Sequence, residues 1–306
     1  MQPTFLLIHA ECVNECRDAV CHLVLCPVIE GGRRESIEFF FNPEAPFCFV
    51  QSGITGAEVE SFPAYREQWP EVETILKDFG LIVSSADGYS AESLCGTLGR
   101  LGVDFNPHRY CNAKSICRRS LDELSYSLDY LSHSVIGRGL ESYDPVCVAE
   151  RWCDIVVAAV AGLGDSSMED FLARVRITPG VISPDGFERA SMTRDYEKRK
   201  ARQFDPSKVA VDARPDNPLF GMNVVFTGTL ESMTRDMARE AVVKVGGFAP
   251  SSLNSSTDFL VVGNQDLRVV GEKGLSGKMK KAAEMRSKGL PIEVVNEFDF
   301  LEMLAQ

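Results

Sequence analysis

The strongest constraint in this chain is the pattern of its last ninety residues. The segment Gly221 to Leu230, GMNVVFTGTL, opens with an apolar run, Val224-Val225-Phe226, that Thr227-Gly228-Thr229 breaks off. An uninterrupted apolar run of this length reads as a strand buried on both faces. A charged amphipathic stretch, SMTRDMAREAVVKVGG (Ser232 to Gly247), follows it. It ends in Gly246-Gly247, the residue type that stops a helix. A second apolar run comes at Asp258 to Val262, and the segment closes with NEFDFLEML (Asn296 to Leu304). Strand, helix and strand thus follow one another in this order.

A chain of 306 residues has room for about two domains. Hydrophobic residues make up 44% and charged residues 25%, ordinary globular values. No apolar run is long enough to span a bilayer. MQPTFLLIHAEC at the start has no basic segment and too short an apolar stretch for a signal peptide. A cytoplasmic protein without membrane partners is the expectation.

The formal charge of −12 is unevenly spread: −13 over residues 1–187, +2 over 188–216 and −1 over 217–306. Nucleic-acid binders carry a basic face. The acidic N-terminal part argues against tight unaided DNA binding there, so the linker and the C-terminal part are better placed to touch phosphate. All ten cysteines lie at or before Cys153. Cys12, Cys16, Cys21 and Cys26, with His22 beside them, contain no CxxC pair, and their spacing matches no common zinc site. Reduced thiols serving as small core residues is the expectation.

Strands are expected at Thr4–Ile8, Ala19–Ile29, Ser36–Phe41, Leu81–Ser84 and Tyr110–Ala113, with a hairpin turn at Gly31-Gly32. Helical periodicity covers Tyr65–Phe79, Ala91–Leu101, Leu128–Ser134 and Val146–Ala161. This is an α/β domain at 1–187. A charged, proline-containing linker follows at 188–216, then a second domain at 217–306.

The C-terminal pattern resembles a BRCT domain, in particular the type found in NAD-dependent DNA ligases and the large subunit of replication factor C. The resemblance implies a small α/β fold with a parallel four-stranded sheet. It also implies a phosphate site made from a Thr hydroxyl, the next Gly N–H, an Arg of the first helix and a Lys of a later helix. The matching residues are Thr227, Gly228, Arg235 and Lys278, with Lys281 a second basic contributor. The ligand it implies is a DNA 5′-phosphate or a phosphorylated protein segment, among replication and repair partners. Without a ligand, Thr227-Gly228 is a fold-building turn and Arg235 a solvated helix residue.

The order of elements over 4–187 resembles the DnaQ-like, RNase H-like family of 3′–5′ exonucleases, to which the proofreading subunit of bacterial DNA polymerase III belongs. That fold has a mixed sheet with flanking helices. Its chemistry needs two divalent cations on four acidic side chains and a His as general base. Here the D-x-E of the first strand is His9-Ala10-Glu11, so only Glu11 remains. The H-G-I-T turn is Ser52-Gly53-Ile54-Thr55. The next acid is Ser90, the general base is Asp144 and the final acid is Ala149. SYSLDYLS (Ser125 to Ser132) matches the family's Y-R-L-D-x-L-A and, with Tyr89 and Leu94, implies that the frame persists. One carboxylate of four cannot neutralise two cations, so loss of exonuclease activity is expected, with no metal or cofactor beyond a residual role for Glu11. The rival is that Asp87, Asp144 and Glu150 have taken over the lost positions. A one-residue shift on a helix turns a side chain by about 100°, which swings Glu150 away. The functions weighed are a DNA-associated scaffold, an active exonuclease using Mg²⁺ or Mn²⁺, and a protein-interaction module.

Overall fold

The computed structural model describes residues 2–14, 16–161, 163, 165, 167–192, 215–263 and 277–305. It divides into two compact units, Met1–Asp122 with Leu128–Thr193, and Glu123–Ser127 with Arg194–Gln306. The linker expected at 188–216 lies outside the described residues over 193–214. Its first residues are not linker, because strands reach Glu188 and Met192 within the first unit.

The first unit is organised by β1 (Phe5–Cys12), which pairs antiparallel with β2 (Val20–Ile29) on one side and parallel with β5 (Ile82–Ser84) on the other. Short strands β3 (Gly32–Arg33) and β4 (Ile37–Phe40) both pair with β2. Beyond β5 come β6 (His108–Asn112), β8 (Gly180–Ser183) and β9 (Gly186–Glu188), giving an eight-stranded mixed sheet. A separate ladder joins β7 (Ile177–Thr178) to β10 (Ser191–Met192).

Alternation along β1 sends Leu6, Ile8, Ala10 and Cys12 into a core with Trp69 and Leu76 of α2 (Tyr65–Lys77) and Leu94 and Leu98 of α3 (Tyr89–Leu101). Phe5 and Leu7, on the opposite face, are fully buried too, and α6 (Pro145–Val160) packs against β1, β2 and β3. A strand covered on both sides has little reason to alternate, so its sequence reads almost continuously apolar. The polar exceptions are His9 and Glu11. Shorter helices α1 (Gly56–Ser61), α4 (Ala113–Ser120), α5 (Leu128–Ser134) and α7 (Met168–Arg174) complete the unit.

The second unit has three parallel strands in the order β11 (Val224–Thr227), β12 (Phe259–Val262), β13 (Glu293–Asn296). One face packs Val224, Phe226 and Val261 against Ala238 and Val242 of α8 (Arg235–Lys244) and Phe300 and Met303 of α10 (Glu297–Ala305). The other packs Val225 and Leu260 against Ala282 and Met285 of α9 (Gly277–Ser287). The expected fourth strand is reduced, among the described residues, to a single parallel bridge between Asn223 and Phe248. Phe248 donates its N–H to the Met222 carbonyl, and Val224 donates to Phe248. The next inward donor would be residue 250, which is a proline with no N–H, so the ladder ends there.

Residues 123–127 also depart from expectation, since they pack with the second unit. The Leu124 carbonyl accepts from Val294 N–H at 2.9 Å, capping the exposed edge of β13. Among the described residues no helix is long and apolar enough to cross a membrane.

Gly180 marks the tightest backbone approach in the first unit. A Cβ there would strike the Glu188 carbonyl, the Ala190 amide and the Tyr110 ring. Two of these are backbone atoms that cannot rotate away. Gly180→Ala should therefore cost about 1–3 kcal/mol, as overpacking does, and lower the thermal midpoint by several degrees. An unchanged midpoint would contradict this register.

Candidate functional site

Two places concentrate unusual side chains, one in each unit. The first lies at the carboxyl ends of the parallel strands β1 and β5, where open α/β sheets place their ligand clefts. His9 and Glu11 share the face of β1 opposite Leu6 and Ile8. Ser85 follows β5 directly, and Ser90 sits in the first turn of α3.

Glu11 is only 9% exposed, and both its oxygens are engaged. Oε1 accepts the Ser52 N–H at 3.0 Å, and Oε2 lies 3.4 Å from His22 Nδ1. Burial opposes its ionisation, but the bonds from His22 and Ser52 outweigh that and hold its pKa below the ordinary carboxylate value. His22 is itself bracketed, with Nε2 3.0 Å from Glu38 Oε2 and its ring stacked 4.3 Å from Phe40. The His22 ring thus stands between Glu11 and Glu38.

The remaining positions singled out by the sequence resemblance are also committed. Ser90 is buried, and its Oγ accepts the Ala10 N–H at 3.0 Å and meets Ser85 Oγ at 3.0 Å. Ser85 Oγ lies 2.9 Å from His9 Nδ1, so His9, Ser85, Ser90 and the β1 backbone form one chain of hydrogen bonds. Burial pushes His9 down to about 4, against the opposing pull of Glu11, with His22 lowering it further. Asp144 is the N-cap of α6, accepting from Val146 N–H at 2.9 Å and Cys147 N–H at 3.3 Å. Ala149 is fully buried in that helix. Thr55, from the turn aligned with H-G-I-T, closes a capping box with Glu58 at the start of α1.

The substitute carboxylates are spoken for as well. Asp87 pairs with Lys114 at 2.9 Å and Arg118 at 3.2 Å. Glu150 takes Arg33 at 2.8 Å and the Ser36 hydroxyl at 2.8 Å, as the helix rotation argument requires. Hard divalent cations need several free, converging oxygen donors. This donor set does not fit a pair of them. Among the described residues the ten cysteines are free thiols, with Cys12, Cys21 and Cys26 buried and Cys16 exposed.

The second place lies at the C-terminal end of β11. Thr227 ends the strand, 8% exposed, and Gly228 takes a left-handed φ of 79° that glycine tolerates best. Arg235, the first residue of α8, donates to the Gly228 carbonyl at 2.7 Å. Lys278 of α9 donates to the Phe226 carbonyl at 2.8 Å and the Ser251 carbonyl at 3.1 Å. The two cations therefore bond the carbonyls of the residues just before and just after Thr227. Lys281 bonds the Leu253 carbonyl at 3.0 Å instead and does not join them.

Sequence reading missed Arg239, whose Nε and terminal nitrogen both donate to the Ala249 carbonyl, at 3.1 and 2.9 Å. Burial lowers the Lys278 pKa, and the nearby Arg235 and Arg239 lower it further. Among the described residues none of these three cations is paired with a carboxylate. The preceding loop is pinned by Glu297 of α10, which accepts the N–H groups of Glu231 and Ser232 at 2.7 and 2.8 Å.

No protein-family model matches the chain. Curated relatives do. The DNA ligase of Ectopseudomonas mendocina (strain ymp) is 22% identical over 309 residues, covering 92% of this chain and 34% of that protein. The DNA ligase of Brucella ovis is 25% identical over 290 residues, with coverages of 91% and 34%. A shorter match of 90 residues to the DNA ligase of Erythrobacter litoralis reaches 38% identity, over 29% of this chain and 10% of that one. This chain spans about a third of the length of the ligases it matches end to end. Among solved structures, exonuclease X in complex with 5′ overhanging duplex DNA aligns with 52% of this chain and 93% of its own, at 13% identity and a TM-score of 0.38.

The displaced His9 pKa sets a pH test with a definite sign. Unfolded, His9 takes up a proton as pH falls through about 6.5; folded, it resists until about 4. Folding stability should fall between these values, and His9→Gln should lose less over the same range. Urea midpoints at pH 7 and pH 5 for both proteins test it. Equal losses would show that His9 is not held neutral by the fold.

Proposed function

We propose that this protein is a DNA replication- and repair-associated binding protein. Its N-terminal unit is a DnaQ-like exonuclease frame without nuclease chemistry, and its C-terminal unit is a BRCT-type phosphate reader. The observation that carries this reading is Arg235 and Lys278 on the carbonyls of Gly228 and Phe226, either side of Thr227 in sequence, with Arg239 anchored at Ala249, two residues from the Ser251 carbonyl that Lys278 also bonds. Three cations held close repel one another, and an anion seated among them relieves that repulsion. Charge-assisted bonds to phosphate are among the strongest that side chains make. Lys278 has three donor protons and spends two on carbonyls, leaving one for a ligand. Arg235 spends one of its five.

The relatives named DNA ligases favour a DNA 5′-phosphate over a phosphorylated protein segment as the ligand. The N-terminal unit supports the same reading from the opposite direction. Its single retained acid, Glu11, is buried with both oxygens engaged, by the Ser52 amide and by His22, which leaves it poorly placed to hold Mg²⁺ or Mn²⁺.

Fluorescence anisotropy with labelled duplexes differing only in a 5′-phosphate or 5′-hydroxyl tests the reading. The phosphorylated end should bind more tightly. Lys278→Ala should weaken it about tenfold, the worth of one charge-assisted hydrogen bond. Equal affinity for the two ends would remove the proposal, and stronger competition by a phosphothreonine peptide than by the DNA end would move the ligand to phosphoprotein.

A further inference from the structure

We infer that the cation cluster continues along α8 into a groove that seats the first nucleoside of a 5′-phosphorylated DNA end. The inference rests on the phosphate reading above and names what lies next to the phosphate. Arg235, Arg239 and Val243 are spaced four apart and form one stripe along the helix. The stripe runs from cation to cation to an apolar side chain that is 43% exposed. The second wall is the segment after Gly247. Its Ala249 carbonyl binds Arg239 and its Ser251 carbonyl binds Lys278, so cluster and groove share that wall.

Arg239, Glu240, Val243, Lys244 and Ala249 line an open groove of about 490 Å³. That volume falls in the range of small-molecule sites. Its charge differs from that of the cluster. Glu240 and Lys244 offset each other across an apolar floor of Val243 and Ala249, while the cluster beside it carries three positive charges. A ligand that matches both has an anionic group at one end and a flat, uncharged, largely apolar group at the other. A terminal nucleotide has that form. Its base can lie on Val243 and against the Arg239 guanidinium, since bases stack on apolar and guanidinium surfaces without regard to sequence. A 5′-terminal phosphate is a monoester of about −1.5 to −2 charge, against one for an internal diester, so the end of a strand matches the three cations better than its middle.

The test uses the full chain and three labelled duplexes. One ends in 5′-phosphorylated adenosine, one in a 5′-phosphorylated abasic residue, and one in a 5′-hydroxyl adenosine. Wild type should bind the phosphorylated adenosine end at least fivefold more tightly than the abasic end. Val243→Asp, a change at an exposed position, should erase that difference. Phe298→Ser, an exposed change on α10, should leave it intact. If wild type binds adenosine and abasic ends equally, or Val243→Asp keeps the difference, the groove assignment is wrong while the phosphate reading stands. Loss of the difference in Phe298→Ser would also overturn it, since the effect would not be local to the groove. If wild type ignores the phosphate itself, both fall together, and tighter binding of a phosphothreonine peptide would replace the nucleotide with a protein ligand.

Discussion

The bond between Glu11 and its two partners governs how the N-terminal unit is understood. A carboxylate buried to this degree must be compensated, because an unpaired charge in a low-dielectric interior is too costly to keep. A pair of metal ions is one way to compensate it. Here the Ser52 amide and the His22 ring do so instead, and Glu38 holds the ring from its far side. The change is not confined to one residue. Where an acid would stand on α3, Ser90 hydrogen-bonds the β1 backbone, and where a base would stand before α6, Asp144 caps the helix.

The C-terminal unit shows the reverse balance. Its sheet is covered on both faces, and the strands need nothing more for stability. Among the described residues Arg235 and Lys278 bond backbone carbonyls near the end of β11 and Arg239 bonds that of Ala249, and none of the three meets an acid. Carbonyl oxygens fix the position of a guanidinium or ammonium group without cancelling its charge. On the reading proposed above, that leaves their charge for an anionic ligand, in a protein whose overall charge is strongly negative.

Much of the architecture could be read from the residues, for physical reasons that also explain the failures. The long apolar runs of β1 and β2 and the helix bounded by Pro145 announce themselves because burial leaves them no polar alternative. The strands β7 to β10 are two to four residues long, too short to set up a period. Pro250 could have warned that the fourth strand of the small sheet would stop at one bridge. The loss of acids was plain in the sequence, and helix geometry alone turned Glu150 away. What replaced them was not plain, since Ser90 meeting the Ala10 amide and His22 meeting Glu11 depend on strand register. Arg239 was missed for the same reason: only the fold brings its carbonyl anchor at Ala249 next to that of Lys278.

The account stands on a cleft that cannot hold a pair of divalent cations, and the occupancy of that cleft is directly measurable. Electron paramagnetic resonance of the full chain titrated with Mn²⁺ should show no pair of bound, spin-coupled ions, and Glu11→Gln should leave the titration unchanged. Two tightly bound Mn²⁺ ions per chain, lost on Glu11→Gln, would contradict it.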